Sequence, residues 1–228
     1  MSSPELPQLA DDFWLSAHDT VNGKPRLAAR PLDIGLATAL LVELLFTGNI
    51  TVQDGLMHPQ FVAMPEDTAL QPIARLIDEE DKAQRRQAGV SHRQVGLNVL
   101  EWIKYLSIDG RAAALVTDRL SRRGLAILEQ RRKMFGGQVQ RFVPRDSYAS
   151  GSPAVRVVTG VQRRETLDQG TRAFAGLLLA TGLHQHAFET LSSDDRARLG
   201  EQLRSMHPML RELLRHGEQV VGEEVMNR

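Results

Sequence analysis

The segment of residues 130–137 combines side chains that bind anionic surfaces with side chains that enter them. Three consecutive cations are followed by two apolar residues and a glycine pair, with one more cation downstream: Arg131, Arg132, Lys133, Met134, Phe135, Gly136, Gly137 and Arg141. Each Lys or Arg near an anionic membrane contributes about 1 kcal/mol of attraction, and apolar side chains at a turn insert shallowly. The segment therefore predicts either a membrane-binding hairpin tip or a solvated basic hairpin whose Met134 and Phe135 fold back on the core.

The same basic segment permits two further functions. A helix that ends at Gly124, followed by a strand, a basic turn and a second strand, resembles the recognition helix and wing of a winged-helix DNA binder. Arg119, Arg122 and Arg123 would then lie near the duplex, where neutralised phosphates supply most of the affinity. Alternatively, the basic face recognises acidic segments of a partner protein, as an adaptor does.

Catalytic and metal-binding patterns are weak. His184 and His186 form the closest histidine pair, but positions i and i+2 of a helix point about 200° apart, which favours structural or helix-capping roles. The chain has no cysteine, no G-x-S-x-G elbow, no phosphate-binding glycine loop and no H-E-x-x-H pair. A Ser–His–Asp triad assembled across the fold stays open. We expect a non-enzymatic protein without a cofactor or a bound metal.

The charge is unevenly distributed. The 228 residues include 28 Lys and Arg against 28 Asp and Glu, so the formal net charge is zero. Residues 1–110 hold 9 basic and 15 acidic side chains, residues 111–164 hold 12 and 3, and residues 165–228 hold 7 and 10. Net neutrality therefore conceals a positive middle segment, which contains the candidate hairpin and marks one face for anionic partners.

The first half of the chain is predicted to be organised around one buried helix. A short helix spans residues 10–15, and Asp33 is the candidate N-cap of a helix over 34–46 that is apolar almost all the way round. Gly48 is expected to end that helix, before a strand at 49–52 and a turn at Asp54-Gly55.

Helical spacing of apolar residues returns at 70–87, 97–106 and 112–123, and from residue 165 onward. Alternating residues at 125–129 and 139–143 predict the hairpin, and the polar stretch 144–153 predicts a loop. The apolar runs 34–46 and 174–183 are shorter than the roughly 18 residues of a membrane span, so we expect buried helices there. Residues 1–10 lack the pattern of a secretory signal.

Several segments resemble the Golgi phosphoprotein 3 family. The central helix from Leu32 to Ile50 has the family's small-x-x-Leu-x-Glu-Leu form and is followed by a turn into a strand. Further similar segments follow in the family's order: Pro72–Ile77, Val99–Ile103, Arg119–Leu125 and the late apolar helix Thr171–Leu183. The resemblance extends from about Asp11 to Leu214.

The resemblance implies a mainly α, single helical domain around a buried central helix, with a projecting β-hairpin. It places that domain at residues 11–216, between tails at 1–10 and 217–228. It also implies peripheral membrane binding through phosphatidylinositol 4-phosphate headgroups, homo-oligomers formed through the hairpin, and contacts with protein tails. The chain lacks the family's long charged N-terminal extension, which suggests a cytoplasmic protein of the bacterial type without a Golgi role.

The family's headgroup site combines a Trp and an Arg near the start of the central helix with two Arg on a later helix. Ungapped alignment places these four at about Ala28, Ala37, Gly110 and Ala113, none of which matches. Three cations lie close to those positions and are the candidate substitutes: Arg26, Arg30 and Arg111. Together with Arg131, Arg132, Lys133 and Arg141 they complete the predicted anion-binding set.

Overall fold

The computed structural model describes residues 8–19, 22–61, 63–88, 96–132 and 138–226. Side chains are described for all of these residues except 130–132, 138–141, 147–150 and 225. Its elements confirm a mainly α fold with a small hairpin. In chain order they are α1 Leu9–Ser16, α2 Ala29–Phe46, β1 Ile50–Gln53, β2 Leu56–Pro59, α3 Leu70–Ala88, β3 Leu97–Asn98, α4 Val99–Ser107, a 3-10 turn Ile108–Gly110, α5 Arg111–Arg122, β4 Ala126–Arg132, β5 Gln138–Pro144, α6 Ser147–Gln162, α7 Gln169–Ala180, α8 His184–Ala187, α9 Ser193–Arg204 and α10 Pro208–Met226.

Helix α2 forms the centre of the molecule, as its apolar composition predicts. Every residue from Ile34 to Leu44 is buried, including Glu43. Helices α1, α4, α5, α7 and α10 pack around α2. Each fully buried Leu, Ile or Val contributes about 1.5–3 kcal/mol relative to exposure, so this helix accounts for much of the core.

The start of α2 differs from the sequence prediction. Asp33 was expected to be the N-cap, but the helix begins one turn earlier, at Ala29, and the cap residue Ala28 makes no side-chain hydrogen bond. Pro31 is compatible with this because the first amides of a helix have no intrahelical acceptor to lose. The earlier start places Arg30 in the first turn of the helix.

The end of α2 and the small sheet agree with the sequence prediction. Gly48 adopts φ +71°, the left-handed conformation that ends a helix cheaply only at glycine. β1 then pairs antiparallel with β2, and β2 pairs with β3. Asp54 and Gly55, with φ of +54° and +75°, make the predicted tight turn between β1 and β2.

The predicted hairpin is also confirmed. Strands β4 and β5 pair antiparallel from Ala126 opposite Pro144 to Arg132 opposite Gln138. Near the base of the hairpin, Ile127 and Leu128 of β4 are both substantially exposed, at 42% and 51%, so the ribbon extends away from the core. Gly124, with φ +68°, separates α5 from this hairpin.

The stretch 144–153 is not the loop expected from its Ser, Gly and Pro content. Helix α6 begins at Ser147 and contains Pro153. Proline inside a helix costs roughly 3 kcal/mol because it donates no amide hydrogen bond. Val157 and Val161 of the same helix are completely buried, and α6 packs against α1 and α7, so tertiary burial offsets the local preference.

The two longest apolar runs lie in the core, as predicted. They form α2 and α7, whose Phe174, Leu177 and Leu178 are buried. Within the described ranges, no helix has both the length and the apolar character needed to cross a membrane.

Candidate anion-binding site

Arg30 lies between two other helices at the start of α2. Its Nη1 donates to the backbone oxygen of Ser107, in the last turn of α4, at 2.9 Å. Its Nε and Nη2 donate to Oε1 of Glu224, near the end of α10, at 3.2 and 2.5 Å. The two charged side chains keep about a third of their surface exposed, at 29% and 34%, so this guanidinium already binds an anionic group beside solvent.

Arg111 reaches the same end of α4 from another direction. Asp109 and Gly110 have positive φ values of 54° and 66°, which reverse the chain between α4 and α5. Arg111, the first residue of α5, then folds back so that its guanidinium lies 4.2 Å from the ring centre of Tyr105. Its Nη1 donates to the backbone oxygen of Tyr105 at 3.2 Å. The ring face and the carbonyl both attract the cation.

Arg30 and Arg111 thus each contact a residue in the last turn of α4, which also carries Lys104, and we call these three residues the α4-end cluster. Lys104 binds Glu223 of α10 at 2.7 Å. Arg30 and Lys104 each bind one carboxylate, and the charge of Arg30 also acts on the carboxyl of Asp33 in the same helix. In the part of the chain that the structure describes, Arg111 contacts a carbonyl and a ring and no carboxylate, so its charge remains available to an anion.

Two of the four positions at which the alignment places the family's headgroup residues lie beside the α4-end cluster. Ala28 and Gly110 directly flank the segments that carry Arg30 and Arg111. Ala37, in contrast, is completely buried, so that position of α2 presents no side chain to a surface site. The candidate substitutes Arg30 and Arg111, 81 positions apart in the chain, thus both contact the last turn of α4.

The other predicted site residues are placed elsewhere or lie beyond description. Arg26 pairs with Asp19 at 3.3 Å within the loop before α2, and no described contact joins it to the α4-end cluster. Arg131, Arg132 and Arg141 occupy backbone register positions opposite Val139, Gln138 and Glu129 in the hairpin. Lys133, Met134 and Phe135 fall outside the described residues.

A buried ionic cluster, which the sequence analysis did not predict, lies on the other side of α2. Arg119 of α5 donates from Nη1 and Nη2 to the carboxylate of Glu43 at 2.7 and 3.0 Å, and from Nε to Asp11 at 2.8 Å. Asp67 accepts a further bond from Nη1 at 3.1 Å. Glu43 also accepts the backbone N–H of Ala10 at 2.7 Å. The cluster joins α1, α2, α5 and the segment before α3.

Burial dominates the electrostatics of this cluster. It raises the pKa of Glu43 to about 7, although the hydrogen bonds and charge of Arg119 oppose the rise. Burial likewise raises the pKa of Asp11. The signal for the cluster is present in the sequence as a lone Glu43 within an apolar helix and an Arg119 on the apolar stripe of α5.

The same cluster corrects the winged-helix interpretation. Arg119 was expected near a DNA duplex but is 3% exposed and fully engaged by carboxylates. Arg123 pairs with Asp11 at 2.7 Å, and Arg122 pairs with Asp118 at 2.9 Å. Arg119, Arg122 and Arg123 thus all pair with carboxylates of this chain, and the buried Arg119 cannot reach a phosphate backbone.

A cleft of about 650 Å³ lies between α1, α6 and α7 and contains none of the predicted site residues. Its cations are engaged within the protein, because Arg156 pairs with Asp12 at 2.5 Å and Arg123 with Asp11. We therefore place the candidate anion site at the α4-end cluster, where Arg111 keeps its charge available.

The histidine pair lies in α8, at the helix end that the sequence analysis favoured. Nδ1 of His184 is buried and has no hydrogen-bond partner among the residues that the structure describes. Across the ranges described, the His, Asp and Glu side chains form no group of three suited to a metal ion.

Comparison with known proteins agrees with the fold. No curated protein matches the chain. The profile of the Golgi phosphoprotein 3 (GPP34) family matches residues 9–225, which is nearly the whole chain, from the first residue of α1 almost to the end of α10. The resemblance noted in the central helix thus extends over every helix of the domain, and the chain belongs to the Golgi phosphoprotein 3 family.

Proposed function

We propose that this protein is a non-enzymatic, cytoplasmic protein that binds peripherally to membranes through anionic lipid headgroups. The observation that carries the proposal is the convergence of Arg30 and Arg111 on the C-terminal end of α4. Family membership supports phosphatidylinositol 4-phosphate as the headgroup. The α4-end cluster lies beside two of the four positions that the alignment gives for the family's headgroup residues, Ala28 and Gly110, and offers different side chains.

The chemistry of the cluster suits a phosphate monoester. A guanidinium presents its N–H groups in a fixed fork that matches carboxylate or phosphate oxygens. Arg30 already directs this edge, Nε and Nη2, at one carboxylate oxygen, Oε1 of Glu224. A phosphate carries about −1.5 to −2 charges near neutral pH, so it is attracted more strongly than a single carboxylate. Arg111 supplies the second cation.

The hairpin provides the second part of the proposed mechanism. Arg131, Arg132, Lys133 and Arg141 would attract the membrane surface, while Met134 and Phe135 insert shallowly. A homo-oligomer formed through the hairpin would present several sites to one surface and increase the avidity without any new contact.

Vesicle co-sedimentation tests the proposal. Phosphatidylcholine vesicles, alone or with phosphatidylinositol 4-phosphate or phosphatidylserine, should retain the protein only when an anionic lipid is present. Arg111→Gln and Arg30→Gln should each reduce binding to phosphatidylinositol 4-phosphate vesicles. Arg75→Gln, which removes an exposed arginine of α3 outside the cluster, is the matched control and should bind like the unchanged protein.

Two outcomes would contradict the proposal. Equal binding to neutral and anionic vesicles would exclude headgroup recognition. Equal loss in Arg75→Gln and Arg111→Gln would show that bulk charge, not this cluster, is responsible. Salt-sensitive binding to duplex DNA without vesicle binding would instead favour a nucleic-acid function of the hairpin. Capture of acidic peptides without vesicle binding would favour the adaptor function.

A further inference from the structure

Two glutamates stand at the end of α10, where a helix disfavours negative charge. The carbonyl end of a helix carries partial negative charge, so Glu223 and Glu224 are repelled by their own helix. Both are held by the α4-end cluster instead. Glu223 binds Lys104 at 2.7 Å, and Glu224 binds Arg30 through the two bonds already described. The α4-end cluster therefore holds the end of α10 in place, and the two glutamates of α10 occupy two of the three cations of the cluster.

We propose that the last turn of α10 is an intramolecular competing ligand, whose Glu224 occupies the anion site until a phosphorylated headgroup displaces it from Arg30. This inference rests on the function proposed above and adds regulation to the same site. Glu224 presents a carboxylate oxygen to the guanidinium edge that a phosphate would use. The two ligands cannot bind that edge together.

The last turn of α10 can separate from the α4-end cluster without disturbing the core. Val220 is completely buried and anchors α10. Gly222 lies two positions further on, and no other described residue comes within 4 Å of a Cβ added there, so no described element packs against this point of the helix. Glycine also lowers helix propensity. Beyond it, Glu223 and Glu224 are half-buried and Met226 is 81% exposed. Fraying after Val221 would release both glutamates while the buried part of α10 stays in place.

The geometry also explains why release is coupled to binding. Separating Glu224 from Arg30 without a replacement leaves a half-buried guanidinium with one carbonyl partner, Ser107. An arriving phosphate replaces the lost bonds and carries more charge. In the closed state, the last turn of α10 is bound to the cluster. The apparent affinity for the headgroup is therefore reduced to the intrinsic affinity multiplied by the fraction of molecules that are not closed.

The main test measures headgroup affinity in Glu224→Gln. This variant keeps the size of the side chain and removes its charge, so the affinity for phosphatidylinositol 4-phosphate vesicles should rise by roughly fivefold or more. Glu218→Gln, on an exposed position of the same helix, is the matched control and should leave the affinity unchanged. The same series with soluble inositol phosphate separates headgroup binding from membrane insertion.

A second variant changes the same equilibrium in the opposite direction. Gly222→Ala has room for its methyl group and raises helix propensity, so it should stabilise the closed last turn and weaken vesicle binding. Hydrogen exchange supplies a direct readout. Amides of residues 222–226 should exchange faster when phosphatidylinositol 4-phosphate vesicles are added, while those near Val220 stay protected.

The outcomes separate this inference from the proposed function. If the unchanged protein binds and Arg30→Gln binds less, but Glu224→Gln binds no better, competition by α10 is overturned and headgroup binding stands. Unchanged exchange at 222–226 on binding overturns it as well. If neither the unchanged protein nor Glu224→Gln binds any anionic vesicle, both proposals fail. Thermal unfolding of each variant shows whether it remains folded.

Discussion

Arg119 and Glu43 meet in the core through two parallel hydrogen bonds of 2.7 and 3.0 Å, although 76 residues separate them. Each side chain is only 4% exposed. The pair joins α5 to the central helix, and Asp11 attaches α1 to the same guanidinium. A buried ion pair contributes little net stability, because desolvation offsets attraction, but removal of one partner leaves the other charge buried and costly. The pair therefore fixes how three helices meet.

Replacing Arg119 is expected to destabilise the domain strongly. Arg119→Leu leaves Glu43 and Asp11 buried without their cation, and the free energy of unfolding should fall by about 3–5 kcal/mol. Chemical denaturation measures the loss. Arg122→Leu on the same helix removes a solvent-exposed pair with Asp118 and should cost less than about 1 kcal/mol. Similar losses in the two variants would contradict the structural role of the buried cluster.

The stability should depend on pH through Glu43. Burial raises the pKa of this carboxyl from 4.5 to about 7, so between these values the folded protein binds more protons than the unfolded chain. The contribution of Glu43 is therefore fully present below pH 4.5 and is lost as the pH rises through about 7.

Comparison with Glu43→Gln isolates this effect from other titrating groups. The comparison runs from pH 5 to pH 8, a range that brackets the pKa of about 7 in the folded protein. Over this range the stability of the unchanged protein relative to the variant should decline by less than about 1.4 kcal/mol per pH unit. Denaturation midpoints collected across this range are the measurement. A relative stability that rises with pH would show that the pKa of Glu43 lies below its ordinary value.

The turn before α5 should control both stability and headgroup binding. Gly110 has φ +66°, so Gly110→Ala should cost about 1 kcal/mol even though no described neighbour lies within 4 Å of the added methyl group. Relaxation of the strained turn would also shift Arg111, which should weaken vesicle binding. Gly151→Ala has equal room among the described residues and no positive φ; because Gly151 lies inside α6, this control should not lower stability and should leave vesicle binding unchanged. Thermal unfolding and co-sedimentation measure the two effects.

The hairpin tip should supply electrostatic attraction without contributing to the core. Changing Arg131, Arg132 and Lys133 together to Glu should abolish binding to anionic vesicles and leave the melting temperature close to that of the unchanged protein. Raised salt should weaken the binding of the unchanged protein in the same assay, since exposed charges are screened. Full binding by the triple variant would assign recognition to the α4-end cluster alone.

Local patterns in the sequence determined most of the helices and strands. The all-round apolar stretch of α2 predicts a central buried helix, and the left-handed glycines Gly48 and Gly124 mark helix ends. Two local predictions were wrong. α2 begins at Ala29 instead of after Asp33 because its first turn tolerates Pro31, and α6 forms around Pro153 because burial of its valines outweighs the proline penalty.

The resemblance to the family identified Arg30 and Arg111 as candidates, because these cations lie near the aligned headgroup positions. What they contact was decided by the tertiary structure. Arg30 meets Ser107 and Glu224, which are 77 and 194 residues away, and Arg119 meets Glu43 in the same manner. Periodicity encodes which face of a helix is apolar, because that depends on neighbours three and four positions apart. Which polar side chains share a site depends on how whole helices pack, and only the assembled fold specifies that.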